Sequence, residues 1–279
     1  MILSIASGKG GTGKTTIAIN LSLSLTAPVQ YLDCDVEEPN GYLFLNPSIE
    51  MSHVHQIPIP AVDQDLCTFC GRCAEICQFN AIAVIKKNIL VFPELCHSCA
   101  GCWLVCPEKA ITQTPKDIGI IEHGSAGNIA FTHGKLKLGE VLAPPVIKAV
   151  KKFIDSDRIN IIDAPPGTSC PVIEAIKGSD FVLLVTEPTP FGLNDLELAV
   201  DMVRKLAIPF GVIVNRCDIG DDNMYKYCQR EDIPILMEIK HDRRIAESYS
   251  RGIPLIEVYP EYRTEFGRLF AEIERRIFE

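Results

Sequence analysis

Two runs of four cysteines constrain the fold of this chain more than any other feature of its 279-residue sequence. The first run is Cys67, Cys70, Cys73 and Cys77, and the second is Cys96, Cys99, Cys102 and Cys106. Both runs have the spacing Cys-x2-Cys-x2-Cys-x3-Cys, and Pro107 follows the second run. Eight thiolates at this spacing suffice for two closed four-cysteine sites, so the segment that contains them has to fold around what they bind.

This spacing resembles the cluster-binding runs of bacterial two-cluster ferredoxins, in which the fourth cysteine of each run ligates the other cluster. The resemblance implies two [4Fe-4S] clusters. One would be held by Cys67, Cys70, Cys73 and Cys106, and the other by Cys77, Cys96, Cys99 and Cys102. A disulfide framework and zinc are the alternatives. Disulfides require an oxidising compartment, and zinc ribbons use pairs of Cys-x2-Cys, so both alternatives fit two runs of four less well.

A glycine-rich loop near the N-terminus predicts a phosphate-binding site. The apolar run 1–6 leads into Gly8-Lys9-Gly10-Gly11-Thr12-Gly13-Lys14-Thr15-Thr16, and an apolar stretch follows from Ile17 to Leu25. This order is that of a strand, a loop and a helix. The glycines allow backbone N–H groups to surround phosphates, Lys14 reaches the outer phosphates, and the Thr15 hydroxyl can ligate Mg2+ at the start of the helix.

Short apolar runs alternate with helix-length segments over most of the chain. The predicted strands after the first are 29–32, 159–162, 181–185, 210–214 and 235–239. Strands that are apolar throughout belong in a parallel sheet that is covered on both faces, which predicts an α/β, doubly wound fold of the P-loop NTPase type. Polar or glycine-rich residues follow nearly every run, and in an open sheet of this class the ligand binds at the carboxyl ends of the strands.

The cysteine segment interrupts this alternation, and we interpret it as an inserted α+β domain of the bacterial ferredoxin type. Pro58 and Pro60 mark its predicted start, and Thr114 and Pro115 mark its predicted end. The predicted domains are therefore a discontinuous ATPase domain of residues 1–59 and 117–279, and an inserted domain of residues 60–116.

Charge and hydropathy limit the partners that we expect. A net charge of -9 argues against a dedicated nucleic-acid surface. The sequence has no apolar run of roughly 18 residues, so no membrane span is expected. Met1 leads directly into the first predicted strand, so we expect no targeting peptide and a cytoplasmic location.

The loop 9–15 closely resembles the deviant Walker A motif of the MinD, ParA and Mrp ATPases and of the nitrogenase iron protein, in which an early lysine joins the usual one. Together with the cysteine segment, the chain resembles MinD-superfamily ATPases with an inserted ferredoxin domain. The resemblance implies that ATP binding forms a homodimer and that Lys9 acts across its interface, as an arginine finger does. It makes Lys9, Lys14 and Asp35 the candidate catalytic residues, and Asp35 the group that positions the attacking water.

The same resemblance assigns further residues. Asp163 would hold Mg2+ together with Thr15, residues 165–167 would form the second switch loop, and Asn215 and Arg216 would contact the base. Two alternatives remain open. Asp33 and Asp35 are also suited to capping a loop, and Asn215 with Arg216 to forming a turn after a strand.

Cys170 follows Asp163 by seven residues, the spacing of one cluster cysteine in the nitrogenase iron protein. An ordinary thiol, a redox or metal contact and a bridging cluster ligand are its possible roles. The second cysteine that the iron protein supplies has no counterpart between Lys116 and Asp157, and Cys217 and Cys228 lack the Cys-x2-Cys spacing of the Mrp scaffolds.

We interpret the chain as an ATP-dependent dimeric switch that couples ATP hydrolysis to iron-sulfur redox chemistry, or to the maturation of a metal or iron-sulfur cofactor on a partner protein. The expected cofactors are ATP, Mg2+ and two [4Fe-4S] clusters. Two other classes are a positioning ATPase of the MinD or ParA kind and a ferredoxin-type electron carrier in which the nucleotide is structural.

Overall fold

The structure is a computed structural model, and it describes residues 1–278. In order along the chain, the strands are β1 (Ile2–Ala6), β2 (Val29–Asp33), β3 (Ser48–Val62), β4 (Ile82–Val84), β5 (Ile89–Val91), β6 (Ile111–Ala126), β7 (Ile129–Leu136), β8 (Ile159–Asp163), β9 (Phe181–Thr186), β10 (Phe210–Asn215) and β11 (Ile235–Ile239). The helices are α1 (Lys14–Ser24), α2 (Tyr42–Leu45), α3 (Arg72–Glu75), α4 (Gly101–Leu104), α5 (Ala143–Lys151), α6 (Cys170–Ile176), α7 (Pro190–Lys205), α8 (Asn223–Arg230), α9 (Arg243–Tyr249), α10 (Leu255–Val258) and α11 (Glu261–Phe278), and a short 3-10 turn spans Pro93–Leu95.

Within residues 1–278, nine strands form one sheet in the order β11-β10-β9-β1-β8-β2-β7-β6-β3. The seven strands from β11 to β7 are parallel, and β6 and β3 complete the sheet in antiparallel pairing. The prediction of a mostly parallel α/β sheet is therefore confirmed. The apolar runs did not indicate β7, because His133, Gly134 and Lys135 interrupt its hydrophobic pattern.

Helices cover both faces of the parallel sheet, and successive strand residues face opposite sides. Ile161 packs in a core with residues of α1 and α11, whereas its neighbour Ile162 packs in a core with residues of α5, α6, α7 and α8. Both side chains are fully buried. Two-sided burial explains why the strands of this sheet are apolar at consecutive positions. Among the described residues, no helix combines the length and the apolar character that crossing a membrane requires.

A long ribbon of β3 and β6 passes through the predicted domain boundaries without a break. Pro58 lies opposite Pro115, and Pro60 lies opposite Gln113. β7 pairs with β6 only from Gly119 onward, so among the described residues no further strand pairs with the ribbon where these prolines lie. Proline lacks an N–H group and is tolerated at unpaired strand edges. A compact unit of residues 63–110 begins and ends at the tip of this ribbon.

The unit 63–110 contains α3, α4 and the antiparallel hairpin of β4 and β5. Its small core includes Cys73, Ile82, Ile89, Cys102 and Ile111. Four of these residues lie within the unit, and Ile111 is the first residue of β6. The unit therefore has hydrophobic contacts of its own in addition to its attachment to the sheet.

Candidate functional site

A cavity of about 400 Å3 lies at the carboxyl ends of the parallel strands. The predicted residues that line it are Gly10, Gly11, Gly13, Lys14, Thr15, Thr16, Asp35, Asn215 and Arg216. Gly8, Lys9 and Thr12 line a separate small pocket behind the loop. Parallel strands bring their carboxyl ends to one edge of the sheet, which is why segments so distant in sequence meet here.

The end of the glycine-rich loop is fixed by contact with Asn215. Gly13 has φ 98°, and a Cβ atom at this position would lie 2.6 Å from Nδ2 of Asn215. That amide nitrogen donates a hydrogen bond of 2.8 Å to the carbonyl of Thr12. Both the positive φ and the close approach therefore require glycine at position 13. The side chain of Asn215 supports the loop backbone as well as lining the cavity.

Asp163 is fully buried at the end of β8, with 0% of its surface exposed. The Tyr31 hydroxyl donates a hydrogen bond of 3.1 Å to Oδ2 of Asp163, while Oδ1 is buried without a partner among the described residues. Burial raises the pKa of Asp163, and the Lys14 ammonium and the Thr15 hydroxyl oppose this rise. A carboxylate oxygen without a partner, beside a threonine hydroxyl, suits a hard cation such as Mg2+.

The structure separates the roles of the two aspartates that follow β2. The Asp33 carboxylate accepts hydrogen bonds from the backbone N–H groups of Asp35, Asn40 and Gly41, at 3.0 to 3.2 Å. Asp33 is fully buried. Because its carboxylate accepts these three bonds, it caps the loop 35–41. Asp35 instead lines the cavity. The loop-capping alternative therefore describes Asp33, and Asp35 is the residue of the pair that faces the cavity.

Asp35 has an unusual acidity for an aspartate. Burial raises its pKa to about 6, the Lys14 ammonium lowers it, and the charge of Asp163 raises it further. A carboxyl group with a pKa in this range, in a cleft beside a lysine, is typical of functional sites. It can hold a water molecule by accepting a hydrogen bond when it is ionised.

Lys9 and Arg216 both contact one buried carboxylate of their own chain. The Lys9 ammonium lies 3.8 Å from Oε2 of Glu187, and Arg216 Nη1 lies 2.8 Å from Oε1. Glu187 directly follows β9, and its side chain is 9% exposed, whereas that of Lys9 is 32% exposed. Glu187 was not among the site residues predicted from the sequence. Its position directly after a buried strand was a signal that could have indicated it.

A second group of residues at the cavity, on helix α9, was not predicted from the sequence motifs. Helix α9 contributes Ile245, Ala246 and Tyr249 to the wall, and the Tyr249 hydroxyl accepts a hydrogen bond of 3.2 Å from the Asn40 amide. The contact joins α9 to the loop that carries Asp35. Neither residue belongs to a recognisable motif, so only the tertiary structure brings them to the site.

The cysteines of residues 63–110 gather around two separate cavities. One is lined by Cys67, Cys70, Cys73 and Cys106, and the other by Cys77, Cys96, Cys99 and Cys102. These are the two groups of four that the spacing predicts, each with one cysteine from the other run. Burial raises the pKa of Cys73, of Cys96 and, to about 11, of Cys102, and a bound metal would oppose this rise because it binds the thiolate form.

The backbone around the two cavities repeats. Every cysteine of the second run lies 29 residues after its counterpart in the first. Phe69 and Ser98 have φ 56° and 54°, and their N–H groups donate to the sulfurs of Cys67 and Cys96 at 3.4 Å. The N–H groups of Ala81 and Ala110 likewise donate to Cys77 and Cys106 at 3.3 Å. Amide donors aimed at cysteine sulfurs are a feature of iron-sulfur sites, so the donor set fits two clusters.

The remaining thiols show no comparable arrangement. All twelve cysteines of the described chain are free, and Cys170 is exposed at the first residue of α6. In the described residues, no group of three or more histidine, cysteine, aspartate or glutamate side chains, the two groups of four cysteines included, is close enough to hold a single metal ion. The role of Cys170 stays a prediction.

Known proteins share the fold and the nucleotide-binding region. A family model described as the CobQ/CobB/MinD/ParA nucleotide binding domain matches residues 3–255. An uncharacterized protein of Methanocaldococcus jannaschii is 32% identical over 258 residues, covering 90% of each chain. An iron-sulfur cluster carrier protein of Pyrococcus furiosus is 26% identical over 301 aligned positions, covering 99% of this chain and 84% of the relative.

Among solved structures, the septum site-determining protein MinD of Pyrococcus horikoshii, complexed with Mg-ADP, superposes with a TM-score of 0.57 at 22% identity. The match covers 98% of this chain and 95% of that chain, so the two share a fold. The family match, the glycine-rich loop and the buried aspartate at the end of β8 agree with one another. The chain therefore belongs to the CobQ/CobB/MinD/ParA nucleotide-binding family and is an ATPase of the MinD and ParA type.

Proposed function

We propose that this ATPase is a dimeric switch that couples ATP binding and hydrolysis to two [4Fe-4S] clusters, in the maturation of a metal or iron-sulfur cofactor on a partner protein. The observation that carries the proposal is the pair of four-cysteine cavities on a unit joined to the ATPase sheet through β3 and β6. When bound, the clusters supply one-electron transfer. The relatives named iron-sulfur cluster carrier proteins support the maturation role.

In the proposed reaction, the residues of the nucleotide cavity bind and position ATP. Lys14 contacts the outer phosphates within its own subunit, and Thr15 and Asp163 hold Mg2+. Asp35 orients the water that attacks the γ-phosphate. Lys9 leaves Glu187 and reaches the partner subunit's nucleotide, where its charge stabilises the transferring phosphoryl group.

In this proposal the four cysteines of each cavity hold one cluster, and the unit of residues 63–110 is the ferredoxin-type domain. The twelve free thiols of the described chain suit a reducing compartment such as the cytoplasm. ATP binding closes the dimer and hydrolysis reopens it, so the redox unit meets its partner in one nucleotide state.

The test is a measurement of cofactor content and coupling on protein purified without oxygen. We expect about eight iron and eight acid-labile sulfide per chain, because two cubanes use all eight clustered cysteines. We also expect the ATP hydrolysis rate to differ between reduced and oxidised protein. Stoichiometric zinc without sulfide would refute the clusters, and equal hydrolysis rates in both redox states would favour an electron carrier whose nucleotide is structural.

A further inference from the structure

The two cysteine cavities differ in how their cysteines contact the ATPase sheet. We call the cavity of Cys77, Cys96, Cys99 and Cys102 the proximal site and the other the distal site. Cys96 packs against the sheet core that includes Ile57 and Val146, and the Ser98 hydroxyl donates a hydrogen bond of 2.6 Å to the carbonyl of Pro58 in β3. Cys67 and Cys106 of the distal site pack instead in the small core of the unit itself.

Lys116 of β6 places a positive charge at the backbone of the proximal site. Its ammonium donates a hydrogen bond of 2.9 Å to the carbonyl of Pro93, which also accepts the Cys96 N–H at 3.3 Å. The lysine side chain is 17% exposed. The Pro93 carbonyl thus joins the ammonium to the backbone of Cys96, a residue of the proximal site.

Glu140 holds Lys116 from the ATPase side. Its Oε2 lies 2.6 Å from the lysine ammonium, and its side chain is only 6% exposed. Its Oε1 accepts hydrogen bonds from the N–H groups of Val141 and Leu142, at 3.1 and 3.4 Å, in the turn that opens α5. The ion pair is thus fixed at one end to the start of α5 and at the other to the proximal site.

The far end of α5 is fixed to the helix that follows the second switch loop. α5 packs against α6, and the ammonium of Lys151 donates to the carbonyls of Glu174, Ala175 and Lys177 at 2.7 to 2.8 Å. α6 begins at Cys170, three residues after Gly167. α5 and α6 thus form a packed connection between the loop after Asp163 and Glu140.

We propose that the ion pair between Lys116 and Glu140 is the contact through which the nucleotide site acts on the proximal site, and that Lys116 sets the reduction potential of the cluster held there. The proposal rests on the proposed function, because it requires the clusters. One-electron reduction by an external donor adds one negative charge to the proximal site, and a nearby fixed ammonium stabilises that charge. Moving Glu140 with α5 changes how closely Lys116 is held to the site.

The first test is a potentiometric titration with dithionite, followed by electron paramagnetic resonance, on protein shown to contain iron and sulfide. Lys116→Met should lower one midpoint potential and leave the other unchanged, and Lys116→Arg should restore it. Lys135→Met is the matched control, since it also removes a lysine from an ion pair with a glutamate, but that pair joins β7 to β6 and involves no residue of the cysteine unit. Cys99→Ser and Cys70→Ser variants assign the two potentials to the proximal and distal sites. Unchanged potentials in Lys116→Met would overturn the proposal.

The second test concerns the nucleotide. In the wild-type protein, the proximal midpoint potential and the hydrogen exchange of residues 93–98 should differ between the ADP form and the form with a non-hydrolysable ATP analogue. Glu140→Gln should abolish both differences while nucleotide affinity stays within about twofold. If the differences persist in Glu140→Gln, the ion pair does not carry the coupling. Protein without iron and sulfide would refute the proposed function itself, whereas cluster-loaded protein with unaltered potentials refutes only this inference.

Discussion

The ammonium of Lys9 lies 3.8 Å from the Glu187 carboxylate of its own chain, and Arg216 binds the other oxygen of that carboxylate. In this arrangement Lys14 lines the main nucleotide cavity, whereas Lys9 does not. The two lysines of the glycine-rich loop thus have different surroundings within one subunit. They should also have separable roles.

Lys14→Ala and Lys9→Ala should therefore have different effects. We expect Lys14→Ala to weaken nucleotide binding by about tenfold to a hundredfold, the cost of losing charge-assisted bonds to phosphate. Lys9→Ala should leave monomer binding within about threefold and reduce turnover by about a thousandfold, as loss of a trans-acting cation does. Equilibrium nucleotide binding, sedimentation and steady-state hydrolysis measure the three effects. A wild-type hydrolysis rate in Lys9→Ala would contradict the trans-acting role.

Asp35 should destabilise the nucleotide-free protein at neutral pH. Burial raises its pKa to about 6, so between about pH 4 and 6 the folded protein binds this proton more tightly than the unfolded chain does. The free energy of unfolding consequently falls as pH rises through this window and stays lower above it. Asp35→Asn removes the ionisable group and with it this fall in the free energy of unfolding. The substitution should therefore stabilise the protein at pH 7.5 by up to about 3 kcal/mol, at 1.36 kcal/mol per pKa unit.

Urea unfolding at pH 5 and pH 7.5 measures this effect in the wild type and in Asp35→Asn. Asp201→Asn, on an exposed position of α7, is the matched control and should change stability by less than about 0.5 kcal/mol. The same Asp35→Asn protein should bind ATP and hydrolyse it slowly, because it lacks the carboxylate that we propose orients the attacking water. Equal stability of wild type and Asp35→Asn at both pH values would argue against a raised pKa of Asp35.

Asp33→Ala should have the opposite effect on stability. The substitution removes the acceptor of three backbone N–H groups, from Asp35, Asn40 and Gly41, in a fully buried position. Unpaired buried donors cost about 1–3 kcal/mol each, so we expect a loss of about 3 kcal/mol or more together with faster hydrogen exchange across residues 35–41. Unaltered exchange in that segment would mean that Asp33 does not hold the loop.

In the crossed pairing of the two cysteine runs, the fourth cysteine of each run lines the cavity of the other run. Paired substitutions can test this arrangement. Cys67 and Cys106 line the distal cavity, whereas Cys77 lines the proximal one. The double variant Cys67→Ser with Cys106→Ser should therefore lose one cluster and keep about four iron per chain, while Cys67→Ser with Cys77→Ser should damage both clusters. Iron analysis and electron paramagnetic resonance measure how many clusters each double variant retains. Equal iron loss in the two double variants would contradict the pairing.

The sequence predicted the parallel sheet and the nucleotide loop because both depend on neighbouring residues. Apolar runs of four to six residues indicate buried strands, and the loop 8–16 contains within nine positions the glycines, lysines and threonines that phosphate binding needs. The ribbon of β3 and β6 was harder to predict, since Pro58 and Pro115 are typical of loops and are tolerated here because, in the described chain, no further strand pairs with the ribbon at these positions.

The sequence by itself therefore determined the kinds of chemistry available: a phosphate-binding loop, eight clustered thiolates and acidic residues after buried strands. Only the tertiary structure decided which of these groups meet. It assigned Asp33 to the loop and Asp35 to the cavity, gave Lys9 and Arg216 a shared partner in Glu187, and brought Lys116 to the proximal cysteine site. The physical reason is that these contacts join residues on different strands and helices. Strand order and helix packing fix the distances between such residues, and contacts of this kind leave no local pattern in the sequence.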